Sequence, residues 1–306
     1  MKHSDLFPDR LALRRRRDRL FYRLTVAAML VGVTALTILI VGVLIEGLPW
    51  LSWDFLDRYP SRTPAKAGFK AAFWGSLWLV GLTTLLTVPV AVGGAVYLEE
   101  YSRGGRFHKL TELLIANLAG VPSILYGMLG LITFVHMFQE TSAQTSFLGV
   151  QLPFGRSVLA GACTLSLLVL PVLTITSREA LRAVPDSLRQ SAFGLGTTRW
   201  QGLRHHVLPA AAPGILTGVV LSISRAMGET APLVMMGALT YVAFVPTSIN
   251  DPFTAMPIQI FNWASRPQAD FQSVAAAGIL VLLAVLLGMN AGVVLLRNRA
   301  ERSRRA

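Results

Sequence analysis

Six stretches of this chain are apolar over the length needed to cross a bilayer, and polar segments separate them. They begin near Leu24, Phe73, Glu112, Ser157, Leu208 and Ser273, and five of them end near Leu48, Leu98, Phe138, Ser177 and Leu296. The fifth runs on past Pro232. A hydrocarbon core of ~30 Å takes about 20 residues of helix, so each stretch can span it. Lipid offers the backbone no hydrogen-bond partner, which leaves only helices and closed barrels as spanning forms. Strands alternating between lipid-facing and lumen-facing residues are absent, which excludes an outer-membrane barrel. Only 14% of residues are charged and 53% are hydrophobic, against about 25% charged in soluble domains. The expected fold class is an all-α polytopic membrane protein with six transmembrane helices.

The formal net charge of +12 would suggest nucleic acid in a soluble protein. Here the basic residues gather at span ends, where they set topology and meet anionic lipid headgroups, so no nucleic-acid partner is expected. Residues 1–23 with Arg14 to Arg17, the 99–111 loop, the 178–206 stretch and residues 297–306 carry 21 of the 28 lysines and arginines. The segments on the other side (49–70, 139–156 and 245–272) carry 6. The positive-inside rule therefore puts both termini and the 178–206 stretch in the cytoplasm. Residues 1–23 and 297–306 read as basic cytoplasmic tails around a transmembrane domain over 24–296. The first apolar run is too long for a signal peptide and closes on no cleavage site, so a retained tail is expected. No internal repeat or soluble domain is evident, and the lone Cys163 can form no internal disulfide.

The remaining basic residue, Arg225, lies inside the fifth apolar run with Glu229 four residues on. Each charge costs at least ~2.5–3.5 kcal/mol at a bilayer centre, so the pair asks for a purpose. Gly228 stands between them, and Pro232 removes the hydrogen bond to the Gly228 carbonyl. A charged pair with a glycine and a proline predicts a weakened helix lining a polar path, with Gly228 and Pro232 as hinges. An arginine suits an oxyanion, since its planar fork donates paired hydrogen bonds and stays charged. Glu229 would neutralise it when no anion is present. The competing reading is a structural ion pair that fixes helix packing.

The stretch 178–206 carries a second signal. Pro185 and Asp186 suit a helix start, and Leu188, Ala192 and Leu195 fall on one face. Gly194 and Gly196 end that helix. A second short helix from Thr197 or Thr198 would bury Trp200 and Leu203. Two such helices make a knob projecting from the membrane, or alternatively a connector lying on the bilayer surface.

This stretch resembles the coupling loop of ATP-binding-cassette importer permeases. That pattern reads Glu-Ala-Ala, three residues, Gly, nine residues, Ile, one residue, Leu-Pro. Ala192, Gly196, Leu208 and Pro209 match it, whereas Gln190, Ser191 and His206 depart. Together with Asn117 to Ser123, Tyr126-Gly127, Val184 to Arg189 and Arg225 to Pro232, the chain resembles phosphate-importer permeases of the PstA type over most of residues 70–296. The Arg-Ala-x-Gly-Glu-Thr core is shared with the sister PstC type. The continuation Ala231 to Val234 looks more like PstA.

The resemblance implies a type I ABC importer permease fold in the bacterial inner membrane, moving inorganic phosphate inward past Arg225, Glu229 and Thr230. It implies a PstC-like sister permease, a PstB-like cytoplasmic ATPase dimer and a PstS-like periplasmic phosphate-binding protein. Gln190, Ser191, Ala192, Gly196, Leu208 and Pro209 would meet the ATPase. ATP and magnesium would sit on that partner, and no cofactor is expected in this chain.

No phosphate loop, Gly-x-Ser-x-Gly or His-Glu-x-x-His motif occurs, so a transport subunit rather than an enzyme is expected. Glu99, Glu179 and Asp186 read as loop carboxylates with no partner at catalytic spacing. Neighbouring His205 and His206 lack companion ligands and read as interfacial, as do His108 and His136. Asn117 and Ser123 read as interhelical hydrogen-bond donors. Physics alone leaves open another oxyanion, an anion channel, a membrane scaffold or a membrane enzyme.

Overall fold

In the computed structural model the described residues, 8–102, 104–137, 155–238 and 241–302, are helical nearly throughout. In order they form α1 (Pro8–Gly47), α2 (Trp53–Asp57) and α3 (Lys70–Val96), which a π turn extends to Tyr101. Then come α4 (Arg106–Ala119), α5 (Ser123–Gly130, extended by a π turn to Met137) and α6 (Val158–Arg182). The chain continues with α7 (Asp186–Gly194), α8 (Arg199–Gly202), a π turn over Leu203–Val207 and α9 (Leu208–Gly228). It closes with α10 (Ala231–Met235), α11 (Met256–Ala264) and α12 (Ala269–Arg302).

Five helices are long and apolar enough to span: Arg17–Trp50, Lys70–Tyr101, Val158–Arg182, Arg199–Gly228 and Ala269–Gly292. The expected third span is broken. Its halves, Arg106–Ala119 and Ser123–His136, meet at 99°. Pro122 is extended at φ −55°, ψ 134°, so the helix stops and restarts there. The Tyr126 hydroxyl donates to the Leu118 carbonyl across the corner at 2.7 Å. The pair still makes a crossing. α3 ends beside the end of α6, where Glu99 meets Arg178, and α6 begins beside Asp251, whose carbonyl accepts from Val158 N at 3.1 Å.

Other boundaries shift for local reasons. The expected 99–111 loop shrinks to 102–105, because both flanking helices run into it. The first residues of the 178–206 stretch belong to α6. The basic N-terminal tail is helical from Pro8. The 245–272 loop contains α11, nine residues of which Met256 to Gln259 and Trp263 are buried. The polar loop over 139–156 lies outside the described residues except for 155–156.

The central post is α6. Two-thirds of its apolar window is buried, against none for α1. Lipid tails are as apolar as leucine, so helices pack here by close approach of small groups rather than by escape from water. A Cβ on Gly130 would sit 2.1 Å from Thr164 Oγ1, and one on Gly75 would sit 2.1 Å from the Thr254 carbonyl oxygen. One core joins α3, α5, α6 and α10 through Leu79, Tyr126, Leu165 and Leu233, with Phe253 from the segment before α11. At the end opposite residues 183–206, a second core groups the rings of Phe55, Phe69 and Trp263, with centroids 5.6–5.8 Å apart in all three contacts. At the other end, Ala95, Leu181, Val184, Leu203, Val207 and Ala211 form a third.

Candidate functional site

The fifth span ends where a kink was expected. α9 stops at Gly228, and Glu229 is extended at φ −75°, ψ 120°. Thr230 returns to helical angles and α10 begins at Ala231, with Pro232 in its first turn. Pro232 therefore starts a new short helix instead of bending the old one, a position where a missing N–H costs nothing. Arg225 occupies the last turn of α9, where the negative end of the helix dipole favours a cation. Its Nε donates to Glu229 Oε1 at 3.3 Å. The Arg225 side chain is 42% exposed and the Glu229 side chain 18%, so the guanidinium faces out of the chain rather than into its core.

The broken third span supplies the wall beside this site. A Cβ on Gly127 would lie 2.6 Å from both Cα and the carbonyl oxygen of Pro232, so only glycine allows this approach of α5 to α10. Tyr126 lies within electrostatic reach of Arg225. Within 117–127, Gly127 thus serves helix contact. Asn117 itself is exposed and Ser123 half-buried.

The other predicted residues gather far away, in a knob at the opposite end of α9. α7 packs Ala192 inward and leaves Gln190 and Ser191 exposed. Gly196 takes φ +75°, the left-handed region that side chains resist. The Ala192 carbonyl accepts from Thr197 Oγ1 at 2.8 Å, closing the turn. Thr198 caps α8 in a capping box with Gln201. Leu208 and Pro209 are half-buried where the π turn hands over to α9. Two expectations fail. Leu195 is 80% exposed, not packed with Leu188 and Ala192, and Trp200 is 55% exposed while Leu203 is buried. With Phe193 at 50%, they make an apolar tip. His205 and His206 are exposed, and His205 Nδ1 donates to the Gln201 carbonyl at 3.1 Å.

Behind the knob lies a charged clamp that sequence reasoning missed. Glu99, read as a loop carboxylate with no partner at catalytic spacing, accepts from Arg178 Nε at 2.6 Å and from Arg182 Nε at 2.9 Å. Glu112 accepts from Arg178 Nη2 at 2.9 Å. Arg178 is buried, with a side chain only 6% exposed. Arg189 on α7 holds Glu100 at 2.9 Å and donates to the carbonyls of Leu181 and Val184. Charge-assisted bonds of this kind are roughly twice as strong as neutral ones. Arg178 and Arg182 thereby tie α6 to the end of α3 and to α4, and Arg189 fastens the knob to the ends of α3 and α6.

The phosphate transport system permease protein PstA of Haemophilus influenzae is 31% identical over 280 residues, 90% of this chain and 92% of that protein. Phosphate transport system permease protein PstA 1 of Mycobacterium tuberculosis is 36% identical over 244 residues, 78% of this chain and 72% of that protein. A bacterial alginate ABC transporter, solved with a pentasaccharide-bound periplasmic protein, has a chain that superposes with a TM-score of 0.65. That match covers 92% of this chain and 96% of the other, and at 19% identity it speaks for the fold alone. The family described as binding-protein-dependent transport system inner membrane component matches residues 91–302, and the chain belongs to that family.

Proposed function

We propose that the chain is the permease subunit of an ATP-driven importer that carries inorganic phosphate across the bacterial inner membrane. The observation that carries this reading is Arg225. It is a permanent cation at a helix break, open on the surface of the chain and held among the described residues by one long ion-pair contact, to Glu229. A phosphate displaces a 3.3 Å carboxylate contact readily, because its oxygens match the guanidinium fork. Thr230 adjoins that contact, and the break at Gly228 with Pro232 behind it lets the segment reorient. Because the site lies on the surface of the chain, a PstC-like sister permease completes the path. The two relatives named as phosphate permeases support the choice of phosphate among oxyanions.

The knob fits a motor contact. Phe193, Leu195 and Trp200 offer an apolar tip, and Gln190 and Ser191 flank it. In this reading the tip seats in a PstB-like ATPase, which binds ATP and magnesium. Both termini then lie in the cytoplasm, and a PstS-like binding protein delivers phosphate at the opposite face. An anion channel or scaffold has no use for such a tip. The test is phosphate uptake by the assembled importer carrying Arg225→Gln. Uptake falls at least tenfold with the complex intact and ATP hydrolysis retained. Unchanged uptake rejects the role of Arg225, and uptake of sulfate or molybdate in preference to phosphate rejects the substrate.

A further inference from the structure

Serine and threonine hydroxyls inside helices commonly bond the carbonyl four residues back. Thr84 does so with Val80 at 2.7 Å, Thr164 with Ala160 at 2.8 Å, Ser166 with Ala162 at 2.7 Å and Thr174 with Leu170 at 2.7 Å. Thr87 on α3 and Ser222 on α9 do not. They are 2% and 1% exposed, and neither hydroxyl has a hydrogen-bond partner among the described residues. Both line one pocket between α3, α6 and α9, with Val169 and Leu173 on its apolar side. It leaves about 10 Å³ open to the centre of a water-sized sphere. That is room for about one molecule.

We propose that this cavity binds a single water molecule, bridging Thr87 Oγ1 to Ser222 Oγ. An unpartnered hydroxyl in lipid-embedded protein is costly, and two on one wall are more so. A bound water needs two to four polar partners. Thr87 and Ser222 supply two. Residues of the apolar wall do not compete for its hydrogen bonds. The site joins the helix that contains Pro89 to the helix that bears Arg225, by a contact that re-forms when either helix shifts.

Thr87→Val and Ser222→Ala, singly and together, in the full chain in lipid bilayers, test the proposal. With a bridging water, each single change strands the other hydroxyl and lowers the melting temperature by about 2–4 °C. The double change then costs no more than either single one. In a dry cavity each substitution deletes an unpaired hydroxyl, so the melting temperature rises and the gains add, which overturns the proposal. Radical footprinting in ¹⁸O-water reads the site independently of stability. Leu173, which lines the cavity, takes up several-fold more label than Leu165, which is equally buried in the core beside it. The double variant abolishes the excess. Equal labelling of the two leucines in the unmodified chain overturns the proposal.

Discussion

Replacing Arg178 with glutamine separates the buried part of the charged clamp from its exposed part. Breaking a buried ion pair by removing one partner costs about 3–5 kcal/mol, because the other charge stays behind. Two features reduce this here. Arg182 still holds Glu99 at 2.9 Å, and Glu112, with a side chain 43% exposed, regains water. Glu99 is the group left in difficulty, since its side chain is only 12% exposed. The expected loss is roughly 2–3 kcal/mol, below the full range for a sealed pair. Arg182→Gln leaves both Arg178 contacts in place, and the Arg182 side chain is 54% exposed. It costs about 0–1 kcal/mol, as exposed pairs do. Thermal unfolding of the two variants in bilayers reads the difference, and hydrogen exchange over residues 183–198 shows whether the knob loosens. Raising the salt narrows the small Arg182 effect and leaves the Arg178 effect nearly unchanged. Equal losses for the two variants would refute the assignment of Arg178 as the buried keystone.

Gly196→Ala costs about 1–2 kcal/mol through its positive φ alone, because a Cβ there meets open space; Gly196→Asn costs less, and amide exchange at residues 194–198 distinguishes them. Gly127→Ala drives a methyl into Pro232 and destabilises by about 1–3 kcal/mol, read as a lower melting temperature and as increased labelling of a cysteine placed at Val234. The Asp251 carboxyl accepts from the backbone amides of Thr247 and Ser248 and the Thr247 hydroxyl, with the Thr247 amide first in effect, which holds its pKa below the usual aspartate range. A depressed pKa means the turn is fully stabilised above the unfolded value of ~3.9 and loses that support as pH falls through the folded value. Protection of the 247–251 amides is therefore flat from neutral pH down to about pH 5 and collapses below about pH 4, and Asp251→Asn removes the dependence.

The span pattern was legible because hydropathy is a property of windows, and lipid enforces it over whole helices. Gly196 and Thr198 were legible too, since a left-handed turn and an N-cap are chosen by one or two residues. The breaks were not. Apolar composition runs straight through Gly120 to Pro122, so a window sees one span where the backbone turns by 99°. At Gly228 the glycine and proline signalled weakness, yet nothing local distinguishes a kink from a stop. α11 is too short to span, and its burial depends on α3 and α12, which hydropathy does not consult. The clamp was the least visible of all. Its partners are 66 to 89 residues apart, and no periodicity links Glu99 to Arg178 or Glu100 to Arg189. Exposure of Leu195 and Trp200 was misjudged for a related reason. An amphipathic face predicts contact with something, and within this chain that something is absent among the described residues.

The run from Arg199 to Gly228 is helical from the knob to the break, so Trp200 and Arg225 ride on one rod. At ~1.5 Å per residue they are about 38 Å apart along its axis. A rod of that length is a lever. Tilting it by only about 5° about its knob end sweeps Arg225 sideways by about 3 Å, which is the length of one hydrogen bond. A few degrees of rocking at one surface of the membrane is therefore commensurate with making or losing a single guanidinium contact near the other.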